Sequence, residues 1–268
     1  MNPFDKEGIK TFCEQKAIEI IGRIKYLKHK GRDNAPSCLC ILTNDTPESA
    51  KYVKNKVILA KKLGIKLDVL KIQAEGNTEE LGIDASEYDC YFVQQPSNVG
   101  GWYLSSRGMN AEDDFDNGIY PCTAKGIMDH LLWSLERMYK KPYGMRMLIC
   151  GYSNLVGQPL SRLAIEEGFD VTIIRSRHGK VLLNNFDVVI EATGKPSEFE
   201  DYYRNDNRGI IVYDVTTRFV DGIMRGSISE DYKTNRSITP VPFGVGQLTL
   251  HALMDNIVRC AEIKQNTD

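Results

Sequence analysis

Residues 147–160 read MLICGYSNLVGQPL: a hydrophobic run, a turn containing Gly151 and Gly157, and a helix start. Nucleotide-binding α/β units place glycines at this point so that backbone amides and a helix N-terminus can meet phosphate. The spacing departs from G-x-G-x-x-G, because Ser153 stands where the second glycine would be. A tight strand-to-helix turn with no ligand is the plain alternative. The next strand, VTIIRSR at 171–177, ends in Arg175, Ser176 and Arg177, about twenty residues beyond the turn, where an acidic residue would bind the ribose hydroxyls of NAD. Guanidiniums flanking a hydroxyl suit a 2′-phosphate instead, so the sequence favours NADP, against the alternative of a solvated basic turn.

Working outward, FDVVIEATG (186–194) and GIIVYDVT (209–216) read as further strands, and the segment from Gly246 to about Lys264 reads as a helix. The KKPYG segment marks a boundary near residue 142. Before it, PCTAKGIMDHLLWSLERM (121–138) reads as a helix that Thr123 can cap, with Ile127, Leu131 and Leu135 as its apolar stripe. The stretch from Ser97 to Ile119 is polar, Gly-rich and loop-like. Earlier still, SCLCILTN, KLDVLKI and DCYFVQQP are strands, the last ended by Pro96, and the SAKYVKNKVILAKKLGI segment is a helix stopped at Gly64. That alternation predicts a parallel α/β layer over residues 37–97. An opening helix, residues 4–29, carries a stripe of Phe12, Ile18, Ile21 and Ile24.

With 268 residues the chain can bury a substantial core in two domains. A net charge of −2 calls for neither nucleic acid nor an anionic membrane as partner. No apolar run approaches the ~20 residues of a membrane span. The start, MNPFDKEGIK, lacks the apolar core of a secretion signal, so the cytoplasm is expected. None of the seven cysteines falls in a CxxC pair; Cys38, Cys40 and Cys150 read as small buried hydrophobes of a reduced protein. His29, His130, His178 and His251 are scattered without ligand spacing, so no metal site is expected.

SAKYVKNK (49–56) raises a separate question. One helical turn separates Tyr52 from Lys56, and Ser49 joins their face. A phenol beside an ammonium can handle protons. Taken alone, the motif favours a blander reading, in which Lys51, Lys54, Lys56, Lys61 and Lys62 form a solvated face.

The whole chain resembles the methylenetetrahydrofolate dehydrogenase/cyclohydrolase family. The stretches SAKYVKNK, YFVQQP, PCTAKGIMDHL, GYSNLVGQP with EATGKP, and SITPVPFGVGQLTLHALMDNIV match in family order, the last being the most specific. Short-chain dehydrogenases also use a YxxxK pair, but after an N-terminal glycine-rich turn; here the pair precedes Gly151. The resemblance implies an α/β fold of two domains around a cleft: an N-terminal parallel α/β folate and catalytic domain, residues 1–141, onto which helix 246–264 packs back, and a Rossmann-type NADP-binding domain, residues 142–245. It implies oxidation of 5,10-methylenetetrahydrofolate to the methenyl form, with hydrolysis to 10-formyltetrahydrofolate in the same site. It also implies a homodimer. Lys56 is then the central catalytic group, Tyr52 packs against the folate, and Gln94 orients Lys56 by a hydrogen bond. Ser49, Asp116, Pro242 and Gly244 line the substrate; a carboxylate at Asp116 can accept two hydrogen bonds from the pterin, with Asp114 as its rival. Gly151, Ser153, Val156, Gly157, Arg175, Ser176, Arg177, Thr193, Gly194 and Ile238 hold NADP.

The chain departs from the family at identifiable points. PLPLP is reduced to QPSN after Gln94, and NGIYPCT shortens the segment before the helix at 122. Tyr152 replaces the arginine after the first glycine of the turn, Thr216 stands in DVTTR where DVGIN is usual, and Phe243 and Gln247 replace Gly and Pro. These departures motivate two alternatives: an NAD(P)-dependent oxidoreductase of the same fold with another substrate, and a non-catalytic nucleotide-binding relative. Joint retention of Ser49, Tyr52, Lys56 and Gln94 speaks against the latter.

Overall fold

The computed structural model describes residues 2–43, 46–72, 85–95, 109–110, 115–175, 183–195, 209–228 and 237–267. They fall into two compact units, Lys16–Tyr120 with Leu253–Asp268, and Met1–Gln15 with Pro121–Ala252.

Helix α1 spans Lys6–His29. Its buried residues are Ile9, Phe12, Cys13, Ile20, Ile24 and Leu27, while Ile18 is 71% exposed. Of the expected stripe, Phe12 and Ile24 are buried, Ile21 is only partly buried and Ile18 is exposed. Ile18 sits two residues from Ile20, about 200° around the helix, and so points away from the core.

In the Lys16–Tyr120 unit, β1 (Ser37–Leu42), β2 (Lys66–Lys71), β3 (Cys90–Val93) and β4 (Met109–Asn110) form a parallel sheet in the order β2-β1-β3-β4. Central β1 is buried from Cys38 to Leu42, as a strand covered on both faces must be. Helix α2 (Pro47–Leu63) connects β1 to β2. Thr46 caps it, its Oγ1 accepting from Ser49 N at 3.3 Å, and Pro47 follows where no amide is needed. Gly64, at φ 82°, ends it in the left-handed region, as its sequence position predicts. The loop-like stretch 97–119 contains β4 and a 3-10 turn at Phe115–Asn117.

The other unit is built on five parallel strands: β5 (Arg146–Cys150), β6 (Asp170–Ile174), β7 (Val188–Glu191), β8 (Ile211–Asp214) and, beyond a hairpin, β11 (Ser237–Ile238). Their order is β11-β8-β7-β5-β6. Met147–Cys150 and Val188–Ile190 are completely buried, which explains why they read as unbroken apolar runs. The hairpin pairs β9 (Arg218–Val220) with β10 (Ile223–Arg225) through Asp221 and Gly222, both at positive φ. Helix α3 (Cys122–Arg137) buries Ile127, Leu131 and Leu135, as its periodicity requires. Thr123 does not cap it. The helix begins two residues too early for that, with Pro121 at the N-cap, and the Thr123 hydroxyl accepts instead from Thr249 Oγ1 at 3.2 Å. Helix α4 (Gly157–Glu166) follows β5, and α5 (Val245–Thr267) closes the chain.

His130 of α3 is fully buried among Phe4, Phe12, Trp133 and Tyr213. Its Nε2 lies 3.1 Å from Pro3 O and its Nδ1 2.7 Å from the Tyr213 hydroxyl. A carbonyl can only accept, so Nε2 carries the proton and Nδ1 accepts from Tyr213. Burial lowers its pKa from 6.5 to about 4. Between those values the unfolded chain takes up a proton that the folded chain refuses. The stabilisation is thus complete above pH 6.5 and is lost as pH falls toward 4, on the order of 3 kcal/mol. Denaturant titrations across this window should show a shallower pH dependence for His130→Asn, which keeps an acceptor for Tyr213 but cannot titrate. Equal slopes in the two proteins would refute the assignment.

Candidate functional site

At the C-terminal end of β5 the chain passes between two other backbones. A Cβ on Gly151 would lie 2.5 Å from the carbonyl oxygen of Ala192, just past β7, and Gly151 itself is at φ 107°. A Cβ on Gly157 would collide with the Gly151 carbonyl oxygen. Only glycine fits at either position. Between them, Ser153 Oγ accepts from Val156 N at 3.2 Å, and Ser153 O accepts from Gln158 N at 3.0 Å. Ser153 thereby does with a side chain what the expected second glycine does by lacking one: it shapes the turn. Val156 is the N-cap of α4 and its own side chain makes no cap bond; Ser153 instead takes the amides of Val156 and Gln158, and Pro159 has no N–H to offer.

The turns after the neighbouring strands converge here. Gly151 N donates to Ile174 O at 2.9 Å, which sets Arg175 beside the glycine turn. The Arg175 guanidinium lies 4.4 Å from the centre of the Tyr152 ring. After β7, Thr193 donates through Oγ1 (2.6 Å) and N (3.3 Å) to the buried Glu191 carboxylate, and Gly194 N donates to Thr216 Oγ1 at 3.2 Å. Thr216, one of the family departures, thus sits against the turn of Thr193 and Gly194. Asp214 accepts from Ser227 N (3.0 Å) and Ile228 N (3.1 Å). Ile238 packs its side chain in the core with Val212 and Ile228. Ser176 and Arg177 lie outside the described residues. Glu191 was not among the expected site residues; an acid ending the apolar run VVIE just before a turn was the available signal.

In the other unit, Ser49, Tyr52 and Lys56 lie on α2. Lys51, Lys54, Lys61 and Lys62 are exposed, whereas Lys56 is only 7% exposed, its ammonium 4.2 Å from the centre of the Phe92 ring. The solvated-face reading fails for this lysine alone. Ser49 is buried and Tyr52 is 38% exposed. Gln94 N continues the sheet ladder, donating to Ile41 O at 2.9 Å, so Gln94 projects on the same side as Phe92, two residues before it. Its side-chain Nε2 donates to Gln95 O at 2.6 Å, which fixes the amide orientation, since the flipped amide would set two carbonyl oxygens together. Gln94 Oε1 is buried and has no partner among the described residues, so the bond expected from Lys56 is not made here. A buried acceptor left unpaired costs about 1–3 kcal/mol and marks a place where another donor completes the bond.

Pro242 is exposed and Gly244 buried, packed so closely on the Pro240 carbonyl that a Cβ would clash. Phe243 between them is 52% exposed at φ 79°, a conformation that costs a non-glycine residue about 1–2 kcal/mol. Lys6 Nζ, 4.5 Å from its ring centre, offsets part of that. The side chain of Asp116 and all of Asp114 lie outside the described residues. Among the described residues no group of three or more His, Cys, Asp or Glu could hold a metal ion, and no helix is long and apolar enough to cross a membrane.

An all-parallel sheet whose glycine turn, helix start and basic strand end meet at one edge defines a nucleotide-binding α/β protein. The chain belongs to the tetrahydrofolate dehydrogenase/cyclohydrolase family: the model of that family's NAD(P)-binding domain matches residues 121–265. It is 29% identical to the bifunctional protein FolD of Rickettsia bellii over 279 residues, covering 92% of this chain and 96% of that one. It is 31% identical to the bifunctional protein FolD of Polynucleobacter asymbioticus over 275 residues, covering 91% and 92%. The crystal structure of the bifunctional FolD methylenetetrahydrofolate dehydrogenase/cyclohydrolase from Campylobacter jejuni is similar in fold, with a TM-score of 0.79, 25% identity and coverage of 96% and 98%.

The backbone stack at Gly157 yields a direct test. Gly157→Ala should lower stability by about 1–3 kcal/mol, because rigid main chain must shift, and should weaken NAD(P) binding at least tenfold by displacing the helix start. Gly246→Ala is the control, as a Cβ there meets nothing within 4 Å. Calorimetry and thermal unfolding of both proteins would decide; parity between them rules out the stack as the organising contact.

Proposed function

We propose that this protein oxidises 5,10-methylenetetrahydrofolate to 5,10-methenyltetrahydrofolate with NADP and hydrolyses the product to 10-formyltetrahydrofolate. The observation that carries the reading is Lys56, buried against Phe92 within a chain that belongs to this family. The close stack of Gly151 and Gly157 sets the start of α4 at the sheet edge, where the helix dipole can meet a pyrophosphate. Arg175, at the end of the second strand of the sheet, supports NADP over NAD. When bound, the nicotinamide ring accepts the hydride.

The oxidation needs no strong base, because the folate nitrogens push electron density onto the carbon that loses hydride. Hydrolysis does need proton transfer: water adds to the methenyl carbon and loses one proton to solvent, and as the carbon–N5 bond breaks the remaining hydroxyl loses its proton to leave the formyl C=O while N5 takes one up. Lys56 is the group we assign to moving it. Gln94 Oε1, already buried and without a partner among the described residues, is the acceptor that would hold the Lys56 ammonium once the site is engaged. The half-exposed ring of Tyr52 offers a flat face to the folate, Ser49, Pro242 and Gly244 line the substrate, and Asp116 anchors the pterin. Residues 1–141 serve the folate and 142–245 the NADP. All seven cysteines are free and buried, which suits the cytoplasm, where we place the enzyme as a homodimer.

Lys56→Met should remove methenyltetrahydrofolate hydrolysis almost entirely, by about 10²–10⁴-fold, with a smaller loss in hydride transfer. Tyr52→Phe keeps the ring and should be milder, and the exposed Lys54→Met should be neutral. A fully active Lys56→Met protein would sink the mechanism. Independently, Arg175→Ala should cut the preference for NADP over NAD at least tenfold, since a charge-assisted contact is worth about 1.5–3 kcal/mol; steady-state kinetics with both cofactors reads this directly.

A further inference from the structure

The turn residue that replaces the family's arginine is not idle. Tyr152 follows Gly151 at the end of β5, and Arg175 follows Ile174 at the end of β6, where Cys150 and Ile174 are paired across the sheet. Gly151 N to Ile174 O, at 2.9 Å, ties the two chain ends together. Across that junction the Arg175 guanidinium lies over the Tyr152 ring, 4.4 Å from its centre. Tyr152 is 37% exposed, so the ring is anchored on one side and accessible on the other.

A guanidinium uses its two surfaces differently. Its faces stack on aromatic rings, while its N–H edge presents a fork that matches phosphate oxygens. A ring beneath one face therefore restricts how Arg175 can turn without consuming the edge that would read a phosphate. We propose that Tyr152 is a positioning residue for cofactor choice: stacked under Arg175, it holds the guanidinium edge where the 2′-phosphate of NADP arrives. This inference rests on the reading of Arg175 as the 2′-phosphate contact.

The test is titration calorimetry of the full-length protein with NADP, NAD and adenosine 2′,5′-bisphosphate, the last to isolate the phosphate from the nicotinamide. A surface cation–π contact predicts that Tyr152→Leu weakens NADP and the bisphosphate about two- to five-fold and leaves NAD unchanged. Tyr152→Phe, which retains the ring, should restore wild-type values. Placed on Arg175→Ala, Tyr152→Leu should have no further effect on the NADP-to-NAD ratio, because there is nothing left to position. Equal weakening of all three ligands would make Tyr152 a turn-shaping residue and overturn the proposal, as would no change at all. If Arg175→Ala leaves the ratio intact, the cofactor reading itself fails. If Arg175→Ala collapses the ratio while Tyr152→Leu does not, that reading stands and only the positioning role falls.

Discussion

The nucleotide-side unit depends on a contact that contains no side chain. Gly151, where β5 ends, lies directly against the Ala192 carbonyl where β7 ends, and Gly157 lies against the Gly151 carbonyl. Adjacent parallel strands are only about 4.8 Å apart, so turns leaving their C-terminal ends compete for the same space. Removing the side chains lets three stretches of main chain stack and brings the first turn of α4 over the sheet edge. The flanking polar contacts then follow. Glu191 can hold the Thr193 turn because Ala192 is already pinned at 2.9 Å to Cys150 O, and Arg175 meets Tyr152 because Gly151 is tied to Ile174. A bulkier residue at either glycine would move the helix start and loosen every one of these at once.

The other unit is organised around the opposite problem, a charge where the fold needs apolar volume. Burying an ammonium costs several kcal/mol unless it is well met. Lys56 occupies a core-facing position of α2 between Val53 and Ala60, and its ammonium lies over the Phe92 face. A leucine there would satisfy the packing more cheaply. That a lysine occupies it, while the Gln94 amide oxygen is buried without a partner among the described residues, is the local conflict between stability and chemistry that functional sites display.

Much of the scaffold was legible because parallel strands covered on both faces write themselves as apolar runs: MLIC, VVI and LCIL need no periodicity to be found. Gly64 and Pro47 marked the ends of α2 for steric reasons that hold in any context. The hairpin of β9 and β10 was missed although Asp221-Gly222 is the short turn signal for one, because only three residues flank it on each side. Thr123 misled because a hydroxyl near a helix start reads as a cap wherever the helix begins, and a two-residue shift is invisible in composition. The site was legible as residue types and not as environments. The sequence of α2 makes Lys56 look like its four exposed neighbours; only the fold distinguishes it. The Tyr152–Arg175 stack joins residues 23 apart in the chain through strand pairing, which no local pattern encodes.

Net charge closes the argument about how a phosphorylated cofactor is recognised. At −2 the chain has no long-range field that would gather anions, and fields from scattered surface charges fade within a Debye length of about 8 Å at physiological salt. Recognition has to be local. The resources available at the edge of β5 and β6 are the N-terminal dipole of α4, worth about half an elementary charge, and the Arg175 guanidinium. Both act over short distances, so their value depends on geometry more than on number. A mobile arginine would spend most of its rotamers facing solvent; one restrained by a ring beneath its face presents its edge at the position that matters. In a protein of nearly neutral charge, an aromatic residue that carries no charge of its own can therefore set the electrostatics of the site.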